Sequence, residues 1–330
     1  MKYLESHSND SAYNLAFEEY IFRNLPIDDE EYVYLWINDK SVIIGKNQNA
    51  YAEINRDYVE SNNVGVRRRI TGGGAVYHDL GNLNFSFITK DRGEGKIDFK
   101  EYYIPIRNAL LELGIPAELS GRNDLTVEGK KVIGASQSVW RGRVLSNGCI
   151  LFDVQMENLA KTLNVRKEKL ESKGVKSVKA RVTNIKPYLK EDITTEKFKE
   201  LLLKEIFKLK GEEPVEYKLT EDQLKEVEKI KRERFGNDDW NFGKSPAGSY
   251  ANAIKFDIGF IETNFDVVKD KLENVKILGD FFGTEDVSEL EQKLEGASFT
   301  GDEVLDILKG ENLEGYFGKI SPEEIAKLFR

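Results

Sequence analysis

Apolar residues recur along the first 244 positions in two rhythms, one helical and one of period two, and their alternation predicts a mixed α/β fold. From Asn9 to Leu25, the residues Leu15, Ile21, Phe22 and Leu25 share a helical face, with Asn9 or Ser11 as N-cap. Tyr32 to Ile37 (YVYLWI) and Ser41 to Ile44 (SVII) read as strands around an Asn-Asp-Lys turn. A short helix from Asn55 to Ser61 precedes Val64 and Val66, which lead a strand into three arginines, and Leu83, Phe85 and Phe87 alternate as a further strand. Tyr103 to Leu113 predicts a helix closed by Gly114. A hairpin is expected from Asn123 to Gly134 around Glu128-Gly129-Lys130, then a strand from Arg143 to Asp153. Helices follow over Met156 to Leu163, over Thr195 to Lys210 with Phe198, Leu202 and Ile206 on one face, and over Glu221 to Arg234.

Gly236, Gly243, Pro246 and Gly248 interrupt these rhythms and predict a linker at about residues 236–250. Beyond it the pattern predicts strands near Ile254 to Phe260 and Val275 to Gly279, then helices near Ser288 to Leu294, Gly301 to Leu308 and Pro322 to Phe329. Charge divides the chain at the same place. Residues 245–330 hold 9 basic and 18 acidic side chains, whereas the first 244 hold 40 of each. The whole net charge of −9 therefore belongs to the last quarter, which supports domains at 1–244 and 245–330.

An acidic chain is a poor general binder of nucleic acid. No apolar run approaches the ~20 residues of a membrane span, and the opening MKYLESHSND lacks an apolar signal core. The lone Cys149 excludes an internal disulfide and a four-cysteine zinc site. A cytoplasmic protein is expected.

The segment from Arg67 to Phe87, RRRITGGGAVYHDLGNLNFSF, concentrates the chemistry. Gly72, Gly73 and Gly74 carry no side chain to hold a ligand away, so their N–H groups can approach anionic oxygens, and adjacent arginines offer planar charged forks. The loop is neither a Walker loop nor a GxGxxG turn before a helix. Lys131 is the second candidate. The small residues Gly134-Ala135-Ser136 behind it let a ligand lie against the strand, and a hairpin closing at Glu128-Gly129 brings Asp124 near the lysine's register. A carboxylate there can fix the ammonium or hold Mg²⁺. His78 reads as loop or pocket support, and Cys149 as a buried small hydrophobe.

Together RRRITGGGAVYHDLGNLNFSF, SGRNDLTVEGKKVIGAS, NGCILFD, GVKSVKARVTNI and WNFGKSP resemble, in this order and over essentially the whole chain, the bacterial lipoate–protein ligases. The resemblance implies an α/β (α+β) catalytic domain of the biotin- and lipoate-ligase type, related to class II aminoacyl-tRNA synthetases, with a small α/β accessory domain. It implies formation of lipoyl-AMP from lipoate and Mg-ATP, then transfer to a lysine of apo lipoyl domains. Those partners are the lipoyl domains of 2-oxoacid dehydrogenase complexes and the glycine-cleavage H protein; a monomer is expected.

Residue by residue, Arg69, Gly72, Gly73, Gly74, Ala75, Val76 and Tyr77 match the loop that holds lipoate and the adenylate phosphate. Lys131 matches the lysine shared by the carboxyl and phosphate oxygens, beside Gly134. Asn123 and Asp124 match residues beside the nucleotide, Asp124 being the candidate Mg²⁺ ligand, and His78, Asp79 and Asn82 complete the loop motif. Asn147 stands where many relatives carry histidine, and Ala135-Ser136 replaces their Asn-Ala or Ser-Ala. An octanoyl or lipoyl transferase on the same fold works through a cysteine before the hairpin, where this chain has Ser120-Gly121-Arg122. A non-catalytic lipoyl-domain binder is the alternative of a different class, and the intact Arg69, glycine triplet and Lys131 argue against it.

Overall fold

A computed structural model of the chain describes residues 1–28, 30–91, 100–120, 124–164, 182–243, 250–299 and 302–329, with backbone alone at 100–102. Asn123, most of the 174–185 motif and positions 244–249 of the expected linker lie outside these.

The period-two segments assemble into a seven-stranded sheet. Its order is β1 (Lys2–Leu4), β2 (Tyr32–Ile37), β6 (Asn82–Lys90), β10 (Arg143–Leu151), β9 (Lys130–Trp140), β8 (Asp124–Val127) and β7 (Glu118–Ser120). Only the β1–β2 pair in it is parallel. β2 is buried along its whole length because both sheet faces are covered. Val33, Leu35 and Ile37, with Phe85 and Phe87, pack on one side under the helices Lys100–Glu112 and Thr195–Leu209. Tyr32, Tyr34 and Trp36 pack on the other under the helix Ser11–Asn24. Each such side chain contributes about 2 kcal/mol on burial, and a one-residue slip would exchange the two sets, so register is firmly specified.

The cap of that first helix is Asp10, between the two residues expected. Its Oδ1 accepts from the Ala12 N–H at 2.9 Å, while the Asn9 amide donates to the Ile37 carbonyl across the turn at 3.0 Å.

At Asn38-Asp39-Lys40 the chain leaves the large sheet. β3 (Ser41–Ile44) forms the centre of a second sheet, parallel to β4 (Gly65–Arg68) and antiparallel to β5 (Val76–His78). The two strands flanking that turn are thus not a hairpin. Arg68 on β4 is fully buried, and its guanidinium donates to the carbonyls of Gly45, Lys46, Gln48, Trp240 and Asn241. Asn241 in turn accepts from the Arg68 N–H at 2.9 Å. The beginning of the expected linker is therefore a packed helix, Asp238–Phe242, anchored to β4. Its polar residues read as punctuation in the sequence because Arg68, which bonds the Trp240 and Asn241 carbonyls, lies 172 and 173 positions away.

The C-terminal unit has three antiparallel strands, β11 (Tyr250–Phe256), β12 (Gly259–Val268) and β13 (Lys271–Gly279), where two were expected. Alternation of Ile261, Thr263, Phe265 and Val267 marks the missed strand. The helix Leu313–Phe317 was also missed; the unit has its own core, including Phe265, Ile277, Leu290 and Phe317. It is fastened to the larger part by the Gly279 N–H donating to the Asn47 carbonyl at 2.9 Å, and by Lys46 and Asp286 at 3.0 Å.

One carboxylate on the buried face of the first helix, Glu18, is almost fully shielded from solvent. Glu18 Oε1 accepts from Ser86 Oγ at 2.5 Å and from Asn147 Nδ2 at 2.9 Å. Burial pushes its carboxyl up to about 7, against the pull of those two bonds and of Arg69. Between the ordinary glutamate range and about 7 the folded protein keeps a proton that the unfolded chain has released, so stability falls as pH rises through that window. Glu18→Gln should abolish this slope and gain, relative to wild type, on the order of 3 kcal/mol between pH 4.5 and 8. Urea unfolding curves across that range measure it, and parallel pH dependences for the two proteins would show that Glu18 does not carry the linkage.

Candidate active site

The loop between β4 and β5 is shaped by its own arginine. Arg69 is buried, and its guanidinium donates to the carbonyls of Ile43 at 3.1 Å, Gly72 at 2.5 Å and Gly74 at 2.9 Å, and to Thr71 Oγ1 at 3.1 Å. The carbonyls gather on the arginine only because the backbone turns at Gly73, whose φ of +90° is open to glycine. A Cβ at Gly73 would also sit 3.0 Å from both Arg69 and the Phe282 ring. Burial draws the Arg69 pKa down to about 10, which leaves it charged at neutral pH.

Beneath the loop lies a cavity of about 150 Å³ whose floor is the face of the large sheet. Two rows of residues cross that face from strand to strand. One runs Trp36, Asn84, Cys149, Gly134 and Asp124 over β2, β6, β10, β9 and β8. The neighbouring row runs Tyr34, Ser86, Asn147 and Ser136. Gly73, Gly74, Ala75 and Val76 form the wall opposite. Leu15 and Ile43 add apolar surface, and Phe282 enters from the C-terminal unit.

The charged end is built by the expected hairpin. Register pairs Asp124 with Gly134 and Thr126 with Lys131, the strands shifting at a bulge between Leu125 and Thr126. The Lys131 ammonium lies 2.7 Å from Asp124 Oδ1 and across Gly134, where a Cβ would come 2.7 Å from it. Both partners are partly exposed, so the pair is worth at most about 1 kcal/mol to folding. Its consequence is positional: the ammonium is held over the cavity floor instead of ranging through solvent.

A hydrogen-bonded chain fills the middle. Thr71 and Ser136 hydroxyls meet at 2.7 Å, Ser136 Oγ donates to Asn147 Oδ1 at 2.6 Å, and Asn147 Nδ2 donates to Glu18. The chain thus links Arg69, through Thr71, to the buried carboxylate. Asn147 is thus a bonded member of the cavity wall. Cys149 lies on the floor, but burial raises its thiol pKa, so it stays protonated and is a poor nucleophile.

His78 lines the opposite end with its ring edge against Trp36, the centroids 6.4 Å apart. Burial, with the Arg69 charge, lowers its pKa to about 3, so the ring is neutral. Other loop-motif residues serve the scaffold. Tyr77 alternates away from the cavity into a satellite core with Val42 and Ile44. Asp79 accepts from the N–H groups of Gly81 and Gln155, pinning the turn before β6, and Asn82 donates to Asn84 Oδ1 at 2.9 Å. Gly72 contributes its carbonyl and passes so close to the Phe281 carbonyl that a Cβ would be 2.6 Å from it.

Sequence reading passed over Glu18, Trp36, Asn84 and Phe282 as site residues. Glu18 had a legible signal: a carboxylate three positions from both Leu15 and Ile21, on the helix's buried stripe. Trp36 and Asn84 carried none, since each matches the alternation of an ordinary strand, and Phe282 arrives from the other unit.

The geometry has close counterparts. A family model described as the lipoyl protein ligase A/B catalytic domain matches residues 10–207, and one described as the bacterial lipoate protein ligase C-terminus matches 245–329. A lipoate-protein ligase of Bacillus subtilis is 46% identical over 322 residues, 97% of each chain. Among solved structures, P. falciparum LipL1 in complex with lipoate has a TM-score of 0.82 at 26% identity and covers 100% of this chain and 99% of its own. A lipoate-protein ligase A bound with ATP has a TM-score of 0.63 at 26% identity, over 73% of this chain and 98% of its own. With its arginine–glycine loop, its Asp124–Lys131 hairpin and its C-terminal unit all inside these matches, the chain belongs to the bacterial lipoate–protein ligase family.

Proposed function

We propose that this protein is an ATP-dependent lipoate–protein ligase, that residues 1–244 carry the chemistry and that residues 245–330 form an accessory domain. Support comes above all from one arrangement: a cavity whose lining includes Leu15, Trp36, Ile43 and Val76, with a fixed ammonium, Lys131, at one end and a buried cation, Arg69, in its wall. Such a cavity suits a long apolar carboxylic acid whose carboxylate lies toward Lys131.

In the first step a lipoate carboxylate oxygen attacks the α-phosphorus of ATP and pyrophosphate leaves. Lys131 touches both anions, lowers their mutual repulsion and offsets charge that builds on the transferring phosphorus. Gly73, Gly74, Ala75 and Val76 supply the wall against which the acyl-adenylate lies, and Arg69 holds that wall in shape. Asp124 and Gly134 border the nucleotide, and Asn123, outside the described residues, is assigned there by the family resemblance alone. Among the described residues Asp124 is the carboxylate at this end of the cavity that would hold a nucleotide-bound Mg²⁺, a hard cation that takes oxygen ligands. The chemistry such an ion would supply is neutralisation of charge on the pyrophosphate leaving group.

In the second step the neutral ε-amine of a lysine attacks the acyl carbonyl and AMP leaves. The substrate lysine belongs to the apo lipoyl domain of a 2-oxoacid dehydrogenase complex or of the glycine-cleavage H protein. No enzyme nucleophile is required, in keeping with a protonated Cys149. The working form we propose is a cytoplasmic monomer.

Lys131→Ala should lower lipoate-dependent pyrophosphate release by at least about 100-fold while leaving the unfolding midpoint unchanged. Normal adenylation by that variant would remove Lys131 from the mechanism, and no lipoate-dependent pyrophosphate from the wild type would end the ligase reading. Cys149→Ser should transfer lipoate to an apo lipoyl domain at a rate within about threefold of wild type. Adenylation without transfer in that variant, read by intact-protein mass, would instead restore a thioester route.

A further inference from the structure

The charged end of the cavity suits anions, and that creates a difficulty for the second step. An acceptor lysine is an ammonium at neutral pH, yet it must come to an acyl carbonyl beside two fixed cations, Lys131 and Arg69. Asp124 does not relieve this, because its carboxylate is already 2.7 Å from the Lys131 ammonium. Glu128, on the hairpin turn, accepts from Tyr188 Oη at 3.0 Å. An approaching cation needs an anion that is committed to neither.

One stands at the edge of the large sheet. β7 is the last strand of that sheet among the described residues and is exposed at all three positions, Glu118, Leu119 and Ser120. Register sets Ser120 opposite Asp124, Glu118 opposite Thr126, and Thr126 opposite Lys131. Cross-strand partners share a sheet face, so Glu118 and Ser120 lie on the cavity face with Asp124, whereas Leu119 lies with the buried Leu125 on the other. Two strand spacings, roughly 10 Å, separate the Glu118 backbone from that of Lys131. Among the described residues the Glu118 carboxylate has no cation in ion-pair contact.

We infer that the β7 edge is where the lysine-bearing segment of an apo lipoyl domain docks, and that Glu118 receives the ammonium of the acceptor lysine before transfer. This rests on the ligase reading above, which supplies the partner and its lysine. Charge selects the occupant: the cavity is built to hold an acid and a nucleotide, and the edge beside it presents a carboxylate on the same face. As the amine moves inward from Glu118, the Lys131 and Arg69 charges lower its pKa, so its proton passes to water and it meets the acyl carbonyl neutral. Attraction is thus needed only at the rim, where β7 is exposed.

The two half-reactions of the full-length protein test this separately. Glu118→Gln should release lipoate-dependent pyrophosphate at the wild-type rate. Transfer, started from synthetic lipoyl-AMP and read by intact-protein mass, should show a KM for the apo lipoyl domain of a 2-oxoacid dehydrogenase raised roughly tenfold, with kcat little changed. The difference should shrink at about 1 M salt, where the Debye length is ~3 Å. The same domain with its acceptor lysine changed to methionine brings no ammonium, so its Ki as a competitive inhibitor should be equal for the two enzymes. An unchanged KM in Glu118→Gln would overturn the inference. So would a Ki that rises in step with the KM, since Glu118 would then touch some other group of the partner. Starting from lipoyl-AMP keeps the two readings apart: a wild type that releases no pyrophosphate counts against the ligase reading, while the KM comparison still reports on Glu118.

Discussion

The site depends on a buried cation that spends its hydrogen bonds on the backbone. Arg69 gathers the carbonyls of Ile43, Gly72 and Gly74, together with Thr71, and among the described residues it has no carboxylate in ion-pair contact. Three consequences follow from the one placement. The loop is held in the observed conformation, because releasing the arginine would strand carbonyls and charge together. The cavity is electropositive where an anion must enter. The imidazole at its far end is held neutral.

Arg68, one residue earlier, works in the same way on the opposite side of β4. It draws together the 45–48 turn and the helix Asp238–Phe242, so that two neighbouring arginines organise the backbone on both sides of one strand. Neither is a solvated charge. The sheet floor complements this with side chains that are small or uncharged where the ligand would lie. The buried carboxylate of Glu18, on the helix packed against the sheet, is linked to the loop through Asn147, which Thr71 and Ser136 both bond.

Much of the fold was legible because it follows period and punctuation. The strands Tyr32–Ile37 and Ser41–Ile44 have the bounds their apolar alternation suggests, and the Glu128-Gly129 turn brings Asp124 to Lys131. What escaped was nonlocal. No window of sequence could show that Ser41–Ile44 changes sheets, that Asp238–Phe242 is caught by Arg68, or that Phe282 enters the cavity wall. The loop arginines illustrate the limit most clearly. Residue type announced an anion site, but only the fold distinguishes a guanidinium committed to carbonyls from one extended toward a ligand.

The cross-strand floor sets a scale. A ligand lying along Trp36, Asn84, Cys149 and Gly134 is measured across strands instead of along them, and strands come at intervals of about 4.8 Å. Adding residues to any strand would not lengthen such a slot, and adding a strand would lengthen it by nearly four methylenes at once. Fine adjustment of chain length is therefore left to the side chains that close the two ends, and evolution of new acyl preferences on this framework should proceed by changing those stoppers while the sheet between them stays the same.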